Sequence, residues 1–158
     1  MGGNMAVRDI IKFGNPKLKK VSRRIDKVDE EVLSLIKDLK DSLYSTTGIG
    51  LAAPQIGVLK RVIIVDLREG DEPIILINPV IASKVGKEES IEGCLSYPGY
   101  EGKVIRPKKV TVQGMNVNGN KVEYVADGLL AKAFCHEIDH LDGVLYTDRA
   151  KKVYKLEE

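Results

Sequence analysis

The sequence predicts an α+β fold with helical segments at both ends and antiparallel strands between them. Three observations support this order. Apolar residues recur at helical spacing over 29–44. Runs of β-branched residues, broken by turn signals, fill the middle of the chain. A second helical pattern opens at Asp127 and ends near Gly143. Helices and strands in separate blocks are typical of α+β proteins rather than of alternating α/β proteins.

The first helix is predicted between Asp29 and Tyr44. Its apolar residues have the three-and-four spacing that forms one stripe against a core, and they are Val32, Leu35, Ile36, Leu39 and Leu43. The pattern stops at Ser45-Thr46-Thr47-Gly48, where polar residues and glycine end the helix. We expect a glycine-bearing loop from Gly48 to Gln55 to follow it.

The strands are predicted from β-branched runs bounded by charged residues, glycine or proline. They cover 61–67, 74–77, 80–85 and 88–91. Further along, Val110, Val112 and the run 122–125 lie on either side of Asn118-Gly119, a strong signal for a tight hairpin. The middle of the chain is therefore expected to form mostly antiparallel sheet.

Length and composition predict one domain. A chain of 158 residues can bury roughly 70% of its unfolded surface, and no linker or repeat divides it. We expect a single catalytic domain over 5–158 and an N-terminal extension at 1–4, before Met5. The hydrophobic share of 43% and the charged share of 30% are ordinary for globular proteins, so composition alone names no function.

Charge and hydropathy narrow the classes of partner. The formal charge is only +2, and the basic residues of 17–24 are interrupted by apolar ones, which favours a solvated face over a nucleic-acid surface. No apolar run approaches the roughly 20 residues of a membrane span, and the N-terminus lacks the charged-then-apolar pattern of a signal segment. We expect a cytoplasmic protein without membrane or specific DNA partners, with a transient ribosome contact as an open alternative.

The second predicted helix carries His136-Glu137-Ile138-Asp139-His140. Residues four apart share a helix face, so both imidazoles can bind one metal ion. Glu137 projects about 100 degrees from His136 and can reach a metal-bound water without being a ligand. The alternative is a surface helix that carries two histidines by chance, and a third candidate ligand upstream argues against it.

That third candidate is Cys94, in Glu92-Gly93-Cys94-Leu95-Ser96. A catalytic site of the zinc type usually takes three protein ligands, and the chain has no third histidine. A lone cysteine is more often an inert core residue, but the helix motif reverses that preference. The other cysteine, Cys135, precedes His136 and points to a different side of the helix, so we do not expect it to bind the metal.

With these motifs in this order, the sequence resembles the peptide deformylase family. The matching segments are Gly48-Ile49-Gly50-Leu51-Ala52-Ala53-Pro54-Gln55, the cysteine motif and the helix motif. The resemblance covers nearly the whole chain after Met5, and Tyr97-Pro98-Gly99 is similar to the bacterial type 1 pattern. The sequence departs from the family pattern in two places. Cys135 stands where relatives commonly have glutamine, and the short segment 146–158 stands where many relatives carry a long helix.

This resemblance implies antiparallel β-sheets packed around a central metal-binding helix. It also implies an enzyme that removes the N-formyl group from the N-terminal formylmethionine of nascent polypeptides and releases formate. One divalent ion would be held by Cys94, His136 and His140. Ferrous iron is the implied native ion, with zinc, nickel or cobalt as alternatives, since a mixed thiolate and imidazole set suits several metals.

The resemblance also implies roles around the ion. Glu137 would act as base and then as acid, while the Gln55 side chain and the Leu95 backbone N–H would stabilise the oxyanion. Ile49, Gly50 and Gly93 would contact the backbone of an extended peptide substrate. Leu129 and Ala133 would contact the methionine side chain of that substrate. Leu129 and Ala133 could equally be ordinary core residues. Finally, Arg106 is expected to form a buried ion pair with Asp139.

Two other readings compete with this one. A small metallopeptidase would use the same helix motif, although the upstream cysteine and the size of the chain argue against it. A structural metal-binding or ribosome-binding module is the other alternative. Structural sites generally close four ligands, however, and the chain offers three good candidates.

Overall fold

The computed structural model of the chain describes residues 7–157, so the extension expected at 1–4 lies outside the described residues. Its helices are α1 (Glu30–Tyr44), α2 (Gly128–Leu141) and the short α3 (Tyr146–Arg149). Its strands are β1 (Gly50–Ala52), β2 (Val62–Val65), β3 (Ile74–Val85), β4 (Glu88–Cys94), β5 (Tyr97–Arg106), β6 (Lys109–Met115), β7 (Lys121–Asp127) and β8 (Val153–Lys155). The predicted α+β class is confirmed.

The first predicted helix is confirmed as α1. Asp29 caps it, because its side chain accepts a hydrogen bond from the Val32 backbone N–H at 3.0 Å. The predicted apolar stripe is buried, and Leu39 and Leu43 pack against residues of β1, β2 and the 3₁₀ turn Ala53–Ile56. The helix thereby supports the loop that leads towards the cavity described below.

Two antiparallel sheets form the body of the described chain. The larger sheet has the strand order β1-β2-β3-β6-β7, and the smaller one has the order β4-β5-β8. The hairpin expected around Asn118-Gly119 joins β6 to β7, with Lys109 opposite Asp127 and Met115 opposite Lys121. The predicted antiparallel arrangement is therefore confirmed in both sheets.

The strand predictions need three corrections. The runs 74–77 and 80–85 belong to one strand, β3, which is interrupted in register at Asn78, a residue with φ of 53°. The Asn78 side chain explains the irregularity, since it exchanges hydrogen bonds with the backbone of Ile25 at 2.9 and 2.6 Å. Strand β1 lies inside the predicted loop, and β5 and β8 have no counterpart in the predicted strands.

Helix α2 lies between the two sheets. Its residues Ala131, Phe134, Ile138 and Leu141 are buried in a cluster with residues of the larger sheet. Its other side contacts the smaller sheet through His136 and Asp139, which are described below. This position confirms the expected central helix. Within residues 7–157, no helix is both long and apolar enough to cross a membrane.

The end of α2 depends on a close backbone contact. Gly143 has φ of 73°, and a Cβ atom placed there would lie 2.5 Å from the Lys19 carbonyl oxygen. Only glycine meets both conditions. The predicted end of the helix near Gly143 is thus confirmed, and the contact ties the end of α2 to the segment that contains the 3₁₀ turn Pro16–Lys19.

Candidate metal centre

Three side chains with metal-binding atoms converge between β4 and α2. The ligand atoms of Cys94, His136 and His140 all lie within 4.8 Å of one another. Cys94 Sγ is 3.4 Å from His140 Nε2. Cys94 is the last residue of β4, whereas both histidines belong to α2. The fold therefore brings together residues that are more than 40 positions apart in the chain.

The donor set fits a divalent metal ion. Bonds of about 2.0–2.3 Å to imidazole nitrogen and thiolate sulfur in a tetrahedral arrangement separate the ligand atoms by roughly 3.3–3.8 Å. The distance between Cys94 and His140 lies in this range. Beside the cluster, Glu137 Oε1 is buried and has no hydrogen-bond partner among residues 7–157. A buried polar atom needs a partner, so a polar ligand such as water fits there.

A carboxylate orients the first imidazole. His136 Nδ1 lies 2.9 Å from Glu92 Oε1, which leaves the Nε2 side of the ring for the cluster. Burial opposes the charged form of His136, but its hydrogen bonds to Cys94 and Glu92 prevail, so its pKa lies well above the usual value. The pKa of His140 lies well below it, because burial and the neighbouring His136 disfavour a second positive charge.

Arg106 holds this carboxylate in place. Its Nε and Nη2 atoms donate to the two oxygens of Glu92 at 2.8 and 2.7 Å. Burial opposes the ionisation of Glu92, but hydrogen bonds from Arg106 and His136 outweigh it and lower the pKa of Glu92 to about 2. Glu92 is therefore a fixed negative charge beside the histidine.

The expected pair between Arg106 and Asp139 is present. Arg106 Nη1 donates to Asp139 Oδ2 at 2.7 Å, and the Arg106 side chain is only 3% exposed. A second arginine, Arg149 of α3, donates to both oxygens of Asp139 at 2.6 and 2.9 Å. Sequence reasoning missed Arg149, because no local pattern indicates which way α3 turns back onto α2.

Glu137 lies in a pocket that disfavours its charge. Its side chain is buried, and burial raises its pKa to about 7, even though the neighbouring His136 acts in the opposite direction. A carboxyl group that titrates near neutral pH can accept a proton and return it. A Cβ atom at Gly50 would lie 2.6 Å from Glu137 Oε2, so glycine at this place in β1 leaves room for the carboxylate.

The side chain of Gln55 points its amide nitrogen at the cluster. Its Oε1 accepts a hydrogen bond from the Ala52 backbone at 3.0 Å. This bond directs Nε2 towards Ser96 Oγ at 3.1 Å and Cys94 Sγ at 3.5 Å. A donor that is held in advance beside a reacting centre can stabilise negative charge that develops there.

The remaining predicted site residues line one cavity of about 570 Å³. Ile49 and Gly50 come from its β1 side, Gly93 and Leu95 from its β4 side, and Leu129 and Ala133 from α2. Leu129 is 54% exposed, so it is not a core residue, whereas Ala133 is buried and also belongs to the core cluster. His140 is buried and is not among the residues that line the cavity.

An aromatic stack that sequence reasoning missed borders the same cavity. The ring of Tyr97 lies between those of Phe13 and Tyr100, with centroid distances of 4.6 and 4.3 Å and nearly parallel planes. Leu156, just after β8, also lines the cavity. Its backbone N–H donates to the Gly99 carbonyl at 2.8 Å. The end of the chain is thereby attached to the rim.

The second cysteine lies away from the ligand cluster. Cys135 is buried in the hydrophobic core cluster of α2 and the larger sheet. Burial raises the pKa of its thiol to about 11, so the thiol stays protonated near neutral pH. This agrees with the expectation that Cys135 is not a metal ligand.

Comparisons with known proteins all point to one family. The family model described as polypeptide deformylase matches residues 7–155. A peptide deformylase of Carboxydothermus hydrogenoformans is 47% identical over 151 residues, covering 96% of this chain and 98% of that protein. Peptide deformylase 2 of Clostridium perfringens is 50% identical over 156 residues, covering 98% and 99%.

Solved structures show the same fold. A peptide deformylase from Legionella pneumophila superimposes with a TM-score of 0.89 at 40% identity, covering 92% of this chain and 86% of that one. The actinonin complex of the Synechococcus elongatus enzyme gives a TM-score of 0.88 at 40% identity, covering 95% and 81%. The chain therefore belongs to the peptide deformylase family, metal-dependent hydrolases that remove the N-formyl group from nascent polypeptides.

Proposed function

We propose that Cys94, His136 and His140 hold the single metal ion of this deformylase and that Glu137 moves the protons of the reaction. The observation that carries the proposal is the convergence of the three ligand atoms within 4.8 Å, next to a buried carboxylate. Ferrous iron is the native ion in this proposal, and zinc, nickel or cobalt can replace it, because the mixed ligand set suits all four.

The protein groups have separate tasks in the proposed mechanism. A divalent ion held by Cys94, His136 and His140 would lower the pKa of a water molecule bound to it from roughly 16 to about 7. Glu137 would accept a proton from the water that attacks the formyl carbon, a task that suits a buried carboxyl group beside the ligand cluster. Glu137 then returns the proton to the leaving amine, so formate and a free N-terminus result.

Two donors face the negative charge that develops on the formyl oxygen. The Gln55 side-chain amide already points towards Cys94, 3.5 Å from its sulfur. The Leu95 backbone N–H follows Cys94 directly in the chain and borders the same cavity. We assign both to oxyanion stabilisation. Each donor of this kind is worth roughly 10²–10³ in rate.

We propose that the substrate lies as an extended chain between β1 and β4. Ile49, Gly50 and Gly93 contact its backbone in this arrangement, which tolerates varied sequence beyond the first residue. The methionine side chain enters the cavity beside Leu129 and Ala133, both of which line it. Recognition of main chain and one side chain suits an enzyme that acts on nascent polypeptides of many sequences.

We further propose that residues 5–158 act as one catalytic domain in the cytoplasm, where nascent chains emerge, with a transient ribosome contact. The packing of α2 against both sheets supports one domain. The ribosome contact rests only on the origin of the substrate.

The test is a formate-release assay on anaerobically purified protein, with metal analysis of the same sample. Formyl-Met-Ala-Ser is expected to release formate, and unformylated Met-Ala-Ser is expected to stay intact. The Cys94→Ala variant should lose both the bound metal and the activity. Cleavage of the unformylated peptide would favour a metallopeptidase, and full activity of Cys94→Ala would remove the cysteine from the metal set.

A further inference from the structure

Two ion pairs join the same strand to the same helix beside the cavity. Glu92 of β4 contacts His136 of α2 at 2.9 Å. Four residues earlier in both elements, Glu88 Oε1 lies 2.7 Å from Lys132 Nζ. The first pair belongs to the metal centre. The second pair has no role in the mechanism described above.

Small residues line the cavity between these two pairs. Alternate residues of a strand face the same side, so Glu88, Ser90 and Glu92 all point towards α2. A rise of about 3.3 Å per residue separates Glu88 from Glu92 by roughly 13 Å along the strand. Between them, Ser90 and Ala133 are small, and both line the cavity. Along α2, Lys132 and His136 are about 6 Å apart, and the cavity wall runs from the metal centre to Lys132.

Lys132 lies at the end of this wall that is away from the metal centre. It lines the cavity, and its side chain is only 20% exposed. Lysine covers apolar surface with its hydrocarbon stem when its ammonium group is held at an edge, and Glu88 holds the ammonium group here. Both partners are partly exposed, so the pair contributes little to stability. The importance of the pair lies in the position of Lys132 in the cavity wall and not in the strength of the pair.

We propose that Lys132, held by Glu88, closes the far end of the pocket for the first side chain of the substrate. The pair sets the longest side chain that the enzyme accepts. This inference rests on the proposed function, in which the first side chain enters beside Leu129 and Ala133. One added methylene in a close-fitting apolar pocket changes kcat/KM by roughly 10–200-fold, so a fixed end wall produces a sharp length limit.

The experiment measures kcat/KM for formyl peptides whose first residue carries a linear side chain shorter than, equal to or longer than that of methionine. Norvaline, norleucine, methionine and 2-aminooctanoic acid form the series, each followed by Ala-Ser. The readout is the ratio of kcat/KM for the 2-aminooctanoic acid peptide to that for the methionine peptide. In Lys132→Ala the ratio should rise at least about tenfold, because the wall is removed. Glu88→Gln should shift it in the same direction, and Lys132→Arg should keep it near the wild-type value.

Lys60→Ala is the matched control, since Lys60 pairs with Glu31 at 2.6 Å outside the cavity. Its ratio should equal that of the wild-type enzyme. An unchanged ratio in Lys132→Ala would overturn the proposal, and an unchanged ratio in Glu88→Gln would exclude the ion pair from it. Absence of formate release from every peptide by the wild-type enzyme would instead contradict the proposed function, so the two failures are distinguishable.

Discussion

Arg106 Nη1 lies 2.7 Å from Asp139 Oδ2, and this buried pair joins β5 to the metal helix α2. The same guanidinium binds both oxygens of Glu92, which in turn contacts His136. Burial opposes the charge of Arg106, but its two carboxylate partners outweigh that effect and raise its pKa further. One side chain thus connects the two segments that carry the metal ligands.

The first prediction compares the two arginines that bind Asp139. Arg106→Met should lower the free energy of unfolding by about 3–5 kcal/mol, because it leaves the buried carboxylate of Glu92 without the arginine that binds both of its oxygens. Arg149→Met should cost at most about 1 kcal/mol, since the Arg149 side chain is 47% exposed. Urea unfolding of the two variants and the wild type measures the difference. Equal losses would show that burial does not decide the strength of these pairs.

The second prediction concerns Glu92→Gln. Removing the charge that orients His136 should weaken metal affinity by roughly 10–100-fold, as is usual for partners of metal-ligating histidines. Competition with a chelator measures this affinity. Glu89→Gln is the control, because Glu89 lies on the exposed side of the same strand and pairs with Lys103 at 3.5 Å. An effect of the same size in both variants would argue against the orienting role.

The third prediction separates metal binding from proton transfer at Glu137. Glu137→Gln should keep the metal ion, since Glu137 is not in the ligand cluster. Its kcat should fall at least about 100-fold, the low end for loss of a general acid–base group. Metal content and formate release are measured on the same preparation. A variant with normal metal content and near-normal turnover would contradict the assigned role.

The fourth prediction uses Gly50→Ala. The added methyl group would lie 2.6 Å from Glu137 Oε2, so the carboxylate must turn away from its place beside the cluster. We expect kcat to fall at least about tenfold, with metal content unchanged. Gly48→Ala is the comparison, because its methyl group meets the flexible end of Leu95 at 2.8 Å. If Gly48→Ala loses as much activity as Gly50→Ala, crowding of Glu137 is not the cause.

The fifth prediction tests the oxyanion donor with Gln55→Glu. This change keeps an oxygen that can accept from Ala52 N–H and removes the NH₂ donor that faces Cys94. The expected loss is roughly 10²–10³ in kcat. The control is Gln113→Glu, whose exposed side chain bonds Glu123 outside this cavity. If kcat is unchanged in Gln55→Glu, groups other than the Gln55 side chain stabilise the oxyanion.

The helical elements could be predicted because their patterns are local. The stripe of α1 repeats over four turns, and Asp29 caps it, so the signal is long and starts at a recognisable residue. The strand β1 has only three residues and lies among glycines, which is too short for any periodic signal. Strand β8 is equally short, and its pairing with residues 100–102 of β5 depends on how the chain returns after α3.

By itself, the sequence determined the α+β order, the shared face of His136 and His140, and the family motifs, because each depends on spacing within one element or on residue identity. Only the tertiary structure decided which groups surround them. The approach of Cys94, the hydrogen bond from Arg149 to Asp139 and the contact of Lys132 with Glu88 join residues from different elements. Such contacts depend on the packing of α2 between two sheets, and no local repeat in the chain encodes the distance between two packed surfaces.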